Sequence, residues 1–185
     1  KILGNSIPKY MLNIGNQFTY KNISLGFNFD FRQGFQKFNS LDNFHAAFGI
    51  ADYTENRDQT IVFEGVTADG QPNTKEVFLG QGTGPDGVNY GAGFYRNVYR
   101  GVTENFVEDA SWVRLQNLNL TYNLPAGILS RVALNRASIS FTGTNLWLST
   151  PYSGFDPEVS VNTGNADGFA GRGAYPGLRS YAATL

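Results

Sequence analysis

Residues 23 to 31 alternate without a break: Ile23, Leu25, Phe27, Phe29 and Phe31 are apolar, and Ser24, Gly26, Asn28 and Asp30 between them are small or polar. A period of two places every apolar side chain on one face of an extended strand, which a helix of the same sequence could not do. Residues 10 to 20 repeat the pattern through Tyr10, Leu12, Ile14, Phe18 and Tyr20 against Asn13, Gly15, Gln17 and Thr19. The two runs meet at Tyr20, Lys21 and Asn22, a spacing that predicts a tight antiparallel hairpin.

Two later runs have the same character but break parity. Val113 and Leu115 are apolar at odd positions, whereas Leu118, Leu120 and Tyr122 are apolar at even ones. One extra residue near Gln116 and Asn117 would keep a single apolar face, which predicts a β-bulge there. The run at 137 to 148 shows Ile139 and Phe141, then Leu146 and Leu148, and Gly143 marks a similar slip; the pattern does not decide the face of Trp147. A last strand is expected after Pro176, with Tyr181, Ala183 and Leu185 on one side. The expected strands are therefore 8 to 20, 23 to 33, 111 to 122, 137 to 148 and 177 to 185.

The connections are unequal. The hairpin near 21 and the turn at 123 to 134 are short, whereas 34 to 109 and 149 to 175 are far longer than ordinary loops. The longer one is expected to hold a helix near 41 to 49, N-capped by Ser40 with Leu41, Phe44 and Phe48 on one side, and a second helix near 93 to 102. Strand parity puts both short turns at one end and both long loops at the other. Together with outward apolar alternation, this predicts an all-β fold, an antiparallel transmembrane β-barrel with long extracellular loops. Five strands cannot close a barrel, so the segment is expected to be part of a larger one.

A formal net charge of −1 and the absence of any Lys/Arg run give no surface for phosphate, and no nucleic-acid partner is expected. With no cysteine, a disulfide scaffold and a cysteine metal site are excluded. His45 is the single histidine and has no second ligand at helical spacing, so neither metal nor cofactor is expected. Asp156 and Glu158 would lie about 7 Å apart in an extended chain, a separation compatible with glycoside hydrolysis. Pro157 between them favours an ordered loop, and no catalytic residue is assigned.

The stretches VEDASWVRLQNLNLTYNLP (107 to 125), ISFTGTNLWLSTPYSGFDPEVS (139 to 160) and YPGLRSY (175 to 181), with GNSIPKYMLNIGNQFTYKNISLGFNFDFRQG before them, resemble the C-terminal barrel strands of SusC-like (RagA-type) TonB-dependent transporters of Bacteroidetes. The resemblance implies a barrel of about 22 strands. It also implies a preceding plug with a TonB box that engages TonB-ExbB-ExbD, and a SusD-like lipoprotein over the outer mouth. The function implied is import of oligosaccharides or peptides across the outer membrane, without enzymatic activity. The plug, the signal peptide and most strands lie outside these 185 residues, so the chain is expected to be the C-terminal part of the barrel. Outer-membrane lipid is the expected neighbour of the apolar face.

On that reading Arg114 and Gln116 are lumen-facing candidates. Tyr152, Phe155, Asp156, Arg172 and Tyr175 are candidates for contact with ligand or partner, because aromatic rings beside polar groups suit stacking on sugars or burial against a protein. A soluble β-sandwich that binds glycan is the alternative, disfavoured by the one-sided loop lengths.

Overall fold

The computed structural model describes residues 1 to 132, 134 to 159, 169 to 170 and 175 to 185. In chain order the strands are β1 (Tyr10–Tyr20), β2 (Ile23–Gln33), β3 (Gln36–Asn39), β4 (Thr60–Val62), β5 (Glu76–Phe78), β6 (Val107–Asp109), β7 (Trp112–Asn123), β8 (Ser138–Ser149), β9 (Phe169–Ala170) and β10 (Ser180–Thr184). The helices are α1 (Ser40–Phe48), α2 (Phe94–Asn97) and α3 (Ala126–Leu129), with short 3₁₀ turns between them.

One antiparallel sheet, in the order β1-β2-β7-β8-β10, carries the molecule. Its ladder pairs like with like. Ile23 faces Tyr122, Leu25 faces Leu120 and Phe27 faces Leu118 between β2 and β7; Tyr122 and Leu120 in turn face Ile139 and Phe141 on β8. The alternate rows are polar: Ser24 pairs with Thr121 and Thr121 with Ser140, and Asn28 pairs with Asn117 and Asn117 with Thr144. On that second face the side chains bond to one another across strands. Asn119 Nδ2 donates to Thr142 Oγ1 at 2.8 Å, and the Thr121 and Ser140 hydroxyls lie 3.0 Å apart, as do those of Thr19 and Ser24. The apolar face has no cover: Phe18, Phe141, Trp147 and Tyr181 are each about half exposed or more.

The parity break in β7 is a register shift. Both ladders of β7 change register between Leu115 and Asn117, which leaves Gln116 outside them. Between the row of Phe27 and the row of Phe29, β2 inserts Asn28 alone, β7 inserts Gln116 and Asn117, and β8 inserts Thr144, Asn145 and Leu146. Each strand thus carries one residue more than its neighbour at that level, a device that bends a sheet and raises its twist. Asn145 absorbs the extra residue with φ of 52°, a left-handed conformation that asparagine tolerates better than most residues.

This arrangement corrects the expected faces of β8. Trp147 pairs with Leu115 and lies on the apolar face, whereas Leu148 pairs with Arg114 and packs on the opposite side against Phe35, Ala110, Trp112 and Tyr152. Leu146 stays on the apolar face, over Gly143. A Cβ at Gly143 would sit 2.7 Å from Leu146 Cδ2, so the glycine is required by the leucine.

The connection from 34 to 109 is a folded cap. Its short strand β3 pairs antiparallel with β6 and parallel with β9, and β4 with β5 forms a separate hairpin. Asn39, rather than Ser40, caps α1: its Oδ1 accepts from the Asp42 amide at 3.0 Å, and Gly49 ends the helix at φ of 66°. The α1 residues that are buried are Ala46 and Ala47, while Phe48 is 52% exposed beneath Arg96. Aromatic rings meet, mostly edge to face, around the buried Phe106, with Tyr99 against Tyr53, Tyr95 and Phe106, and Phe106 against Phe38, while Leu79 is buried in the same cap. Burial first, and the Asp42 charge second, push the Tyr53 phenol above its ordinary pKa; burial also raises Asp42, whose carboxylate accepts from the Tyr53 hydroxyl at 3.1 Å.

Gly143→Val is expected to lower stability by about 1–3 kcal/mol through overpacking against Leu146, and Gly143→Val/Leu146→Ala to recover part of that loss. Denaturant midpoints of the two variants check this.

Candidate functional site

At the end of the sheet remote from the Lys21–Asn22 turn, the 150 to 159 segment folds back over the polar face. Arg114 and Asp156 meet beneath it. Arg114 lies on the polar side two residues before the bulge, between Asp30 on β2 and Leu148 on β8. Its Nη2 donates to Asp156 Oδ1 at 2.7 Å, with Glu158 Oε2 3.3 Å away, and its Nη1 donates to Asn145 Oδ1 at 3.3 Å. Both partners of the main pair are buried, with side chains 5% and 3% exposed.

Asp156 is used by more than the arginine. Its Oδ1 also accepts from the Glu158 amide at 2.9 Å, and its Oδ2 from the Gly177 amide at 3.4 Å. Arg32, cross-strand from Trp112, reaches Glu158 Oε1 at 3.5 Å. The Trp112 ring lies under both guanidinium groups, 5.4 Å from that of Arg32 and 5.1 Å from that of Arg114. Cations over an indole face attract it by about 0.5–2 kcal/mol, more as water is excluded.

A second polar knot ties the two long connections together. Glu108 on β6 accepts from Asn39 Nδ2 at 3.0 Å, from the Ser153 amide at 2.7 Å and from the Ser153 hydroxyl at 2.8 Å. Next to it Tyr152 is buried in the cluster of Phe35, Ala110 and Trp112. Burial, with the Glu108 charge behind it, pushes the Tyr152 phenol above its ordinary pKa.

The expected contact residues therefore divide. Tyr152 and Asp156 are interior anchors in this structure, 5% and 6% exposed, and offer no surface to a ligand or partner as they stand. Phe155 and Tyr175 project, at 68% and 86% exposed. Arg172 lies outside the described residues. Of the two lumen candidates, Arg114 is on the polar face but closed off by Asp156. Gln116 is the bulge residue, and Asn117 continues the polar row in its place. Asn145, Arg32 and Glu108 were not singled out in the sequence, and Glu158 was weighed there only as half of a carboxylate pair; the break in alternation after Gly143 was the one available sign of Asn145.

A cleft of about 270 Å³ opens beside the pair, lined among others by Asn145, Phe155, Pro176 and Arg179. Among the described residues no three His, Asp or Glu side chains are grouped as a metal ion requires. No helix among them is long and apolar enough to cross a membrane, which leaves strands untouched. A site so arranged orders loops.

No family model matches the chain. Two TonB-dependent receptors of Formosa agariphila do: P26, 26% identical over 185 residues (97% of this chain, 17% of the relative), and P3, 34% identical over 85 residues (43% and 8%). The chain is thus similar to TonB-dependent receptors. A third receptor of that organism, P39, is 24% identical over 166 residues. Among solved structures, the RagAB peptide transporter matches at a TM-score of 0.57 and 23% identity, covering 96% of this chain and 17% of that one. The RagAB peptide importer in its open-open state matches at 0.53 and 23%, covering 95% and 16%. The fold of this segment is thus that of a stretch of such a receptor. The chain spans less than a fifth of the length of the relatives it matches.

Removing one member of a buried ion pair leaves the other charge without compensation, at a cost of about 3–5 kcal/mol. Arg114→Met is expected to show that loss, and Arg114→Met/Asp156→Leu to lose markedly less, as read from the unfolding midpoints of the whole receptor. Equal losses would mean that the pair carries no coupling.

Proposed function

We propose that this chain is a stretch of wall and outer mouth in a SusC-like importer that takes up peptides or oligosaccharides through the outer membrane. The observation that carries the reading is the two-faced sheet. Apolar rows stand exposed on one side, polar rows bond to one another on the other, and β1 and β10 are edges of the sheet among the described residues. Apolar rows of this height suit hydrocarbon, polar rows a watery lumen, and unpaired edges in lipid must be closed by further strands. The completed wall is a closed barrel of about 22 strands, of which this chain supplies the C-terminal part.

The short turns at 21 to 22 and 124 to 137 then face the periplasm, and the 34 to 109 and 149 to 175 connections face the outside. Aromatic residues near both ends of the apolar face, Tyr20 and Tyr122 at one and Tyr10 and Trp147 toward the other, suit the two membrane interfaces. A SusD-like lipoprotein would close over the outer connections, where Phe155 and Tyr175 stand exposed. A plug outside this sequence would bind TonB-ExbB-ExbD and supply the energy; the wall itself does no chemistry.

Adjacent residues on opposite faces give the test. Leu118→Arg, on the apolar face opposite Phe27, is expected to cost about 2–4 kcal/mol in a bilayer. Asn119→Arg, on the polar face beside Thr142, is expected to cost far less. The heat-modifiable fraction of the whole receptor refolded into lipid vesicles reports both. Equal effects, or a chain that is soluble and monomeric without detergent, would sink the importer reading, as would failure of any surface lipoprotein to co-purify for its partner.

A further inference from the structure

The 149 to 175 connection leaves the sheet after Ser149, and the chain rejoins it at Ser180, five residues after Tyr175. Both ends converge on one carboxylate. Asp156 accepts from the Glu158 amide on the outgoing end and from the Gly177 amide on the returning end, while Arg114 grips it from β7. The bulge residue Asn145 reinforces the same junction: its Nδ2 donates to the Leu178 carbonyl at 3.1 Å, its Oδ1 accepts from Arg114, and its own carbonyl accepts from Arg179 Nε at 3.4 Å. A side chain at position 177 would crowd this junction, since a Cβ there would meet Asn145 Nδ2 at 3.0 Å and Arg114 Nη1 at 3.4 Å.

We propose that Asp156 is the positioning residue of the outer mouth, stapling the two ends of the second long connection to the barrel wall so that Phe155 and Tyr175 are presented from one fixed neck. The two exposed aromatics are neighbours of the staple in sequence: Phe155 precedes Asp156, and Tyr175 precedes Gly177 by two. Neither ring needs a contact of its own to be held, because the backbone beneath each is tied to the same buried carboxylate. A buried charge is suited to this task. Its bonds to Arg114 and to the Glu158 amide are short, at 2.7 and 2.9 Å, and the longer one to the Gly177 amide, at 3.4 Å, ends on the same buried group. Without Asp156 the returning end keeps the Asn145 contacts, and the outgoing end has the Ser153–Glu108 knot as its next anchor. The outward direction of the neck rests on the importer reading; the staple itself does not.

Distances between nitroxide labels test the staple in the whole receptor. The segment has no cysteine of its own, so Phe155→Cys and Tyr175→Cys can be labelled specifically once cysteines elsewhere in the receptor are removed. Pulsed dipolar spectroscopy on the folded, heat-modifiable barrel is expected to give a narrow distance distribution. Adding Asp156→Ala is expected to widen it at least twofold, and Asp156→Asn, which keeps the shape and loses the charge, to widen it by less. Should the alanine variant fail to fold, the asparagine variant alone decides. A distribution that is broad before substitution, or that keeps its width in a folded Asp156 variant, overturns the proposal. Uptake is not read in this experiment, so a receptor that proves to import neither peptides nor oligosaccharides would end the importer reading and leave the staple standing.

Discussion

Every strand of the main sheet must keep one face apolar, and the structure meets that constraint by adding residues where the chain would otherwise lose step. At the level between Phe27 and Phe29 the insert grows by one residue per strand from β2 to β8. Had β7 continued without Gln116, Leu118, Leu120 and Tyr122 would have turned to the polar side, because a one-residue slip reverses every side chain after it. The same inserts create the site. Asn145 exists as a left-handed corner only because β8 carries the longest insert, and from that corner it reaches both Arg114 and the Leu178 carbonyl. The inserts that keep the apolar face whole thus also place Asn145 at the junction of the 149 to 175 connection.

Much of this was legible because period two is a local signal. Ile23 to Phe31 declares its strand without reference to any partner, and the parity change between Leu115 and Leu118 points to the bulge by arithmetic. β8 was legible only in part. One reading of 143 to 148 turns Leu146 and Leu148 to the apolar face and the other turns Trp147 there, and the choice is made by β7: Trp147 sits opposite Leu115, and Leu148 falls beside Arg114 over the Trp112 cluster. A cross-strand partner is tertiary information, which a single strand does not contain. The cap of α1 is a smaller instance, where Asn39 and Ser40 are both acceptable capping types and the chain uses the one that can also donate to Glu108.

The site was harder to read because its members are far apart in sequence. Arg114 was expected to face the lumen and Asp156 to face a ligand, on the sound rule that charged residues seek water. Each removes the other from water instead. Burial is tolerated where oppositely charged groups meet with good geometry and most of their remaining valences are filled, here by the Glu158 and Gly177 amides and by Asn145, although Arg114 Nε is buried without a hydrogen-bond partner among the described residues. Nothing in the spacing of 42 residues between them announces the meeting.

The division of labour along residues 152 to 158 follows from that burial. Tyr152 and Asp156 are inside while Phe155, between them, is out, so the backbone here is pinned on both sides of its most exposed ring. Backbone held this way has surrendered its conformational entropy during folding and need not surrender it on binding through the ring, which raises the affinity available from a given contact area. A loop tip joined to the sheet by flexible chain would lose that advantage even with the same ring at its end. The buried ion pair contributes little net stability over an apolar pair of equal volume. Its value lies in direction: a carboxylate that must accept from the sheet and from both ends of one connection admits few arrangements, and greasy packing would admit many.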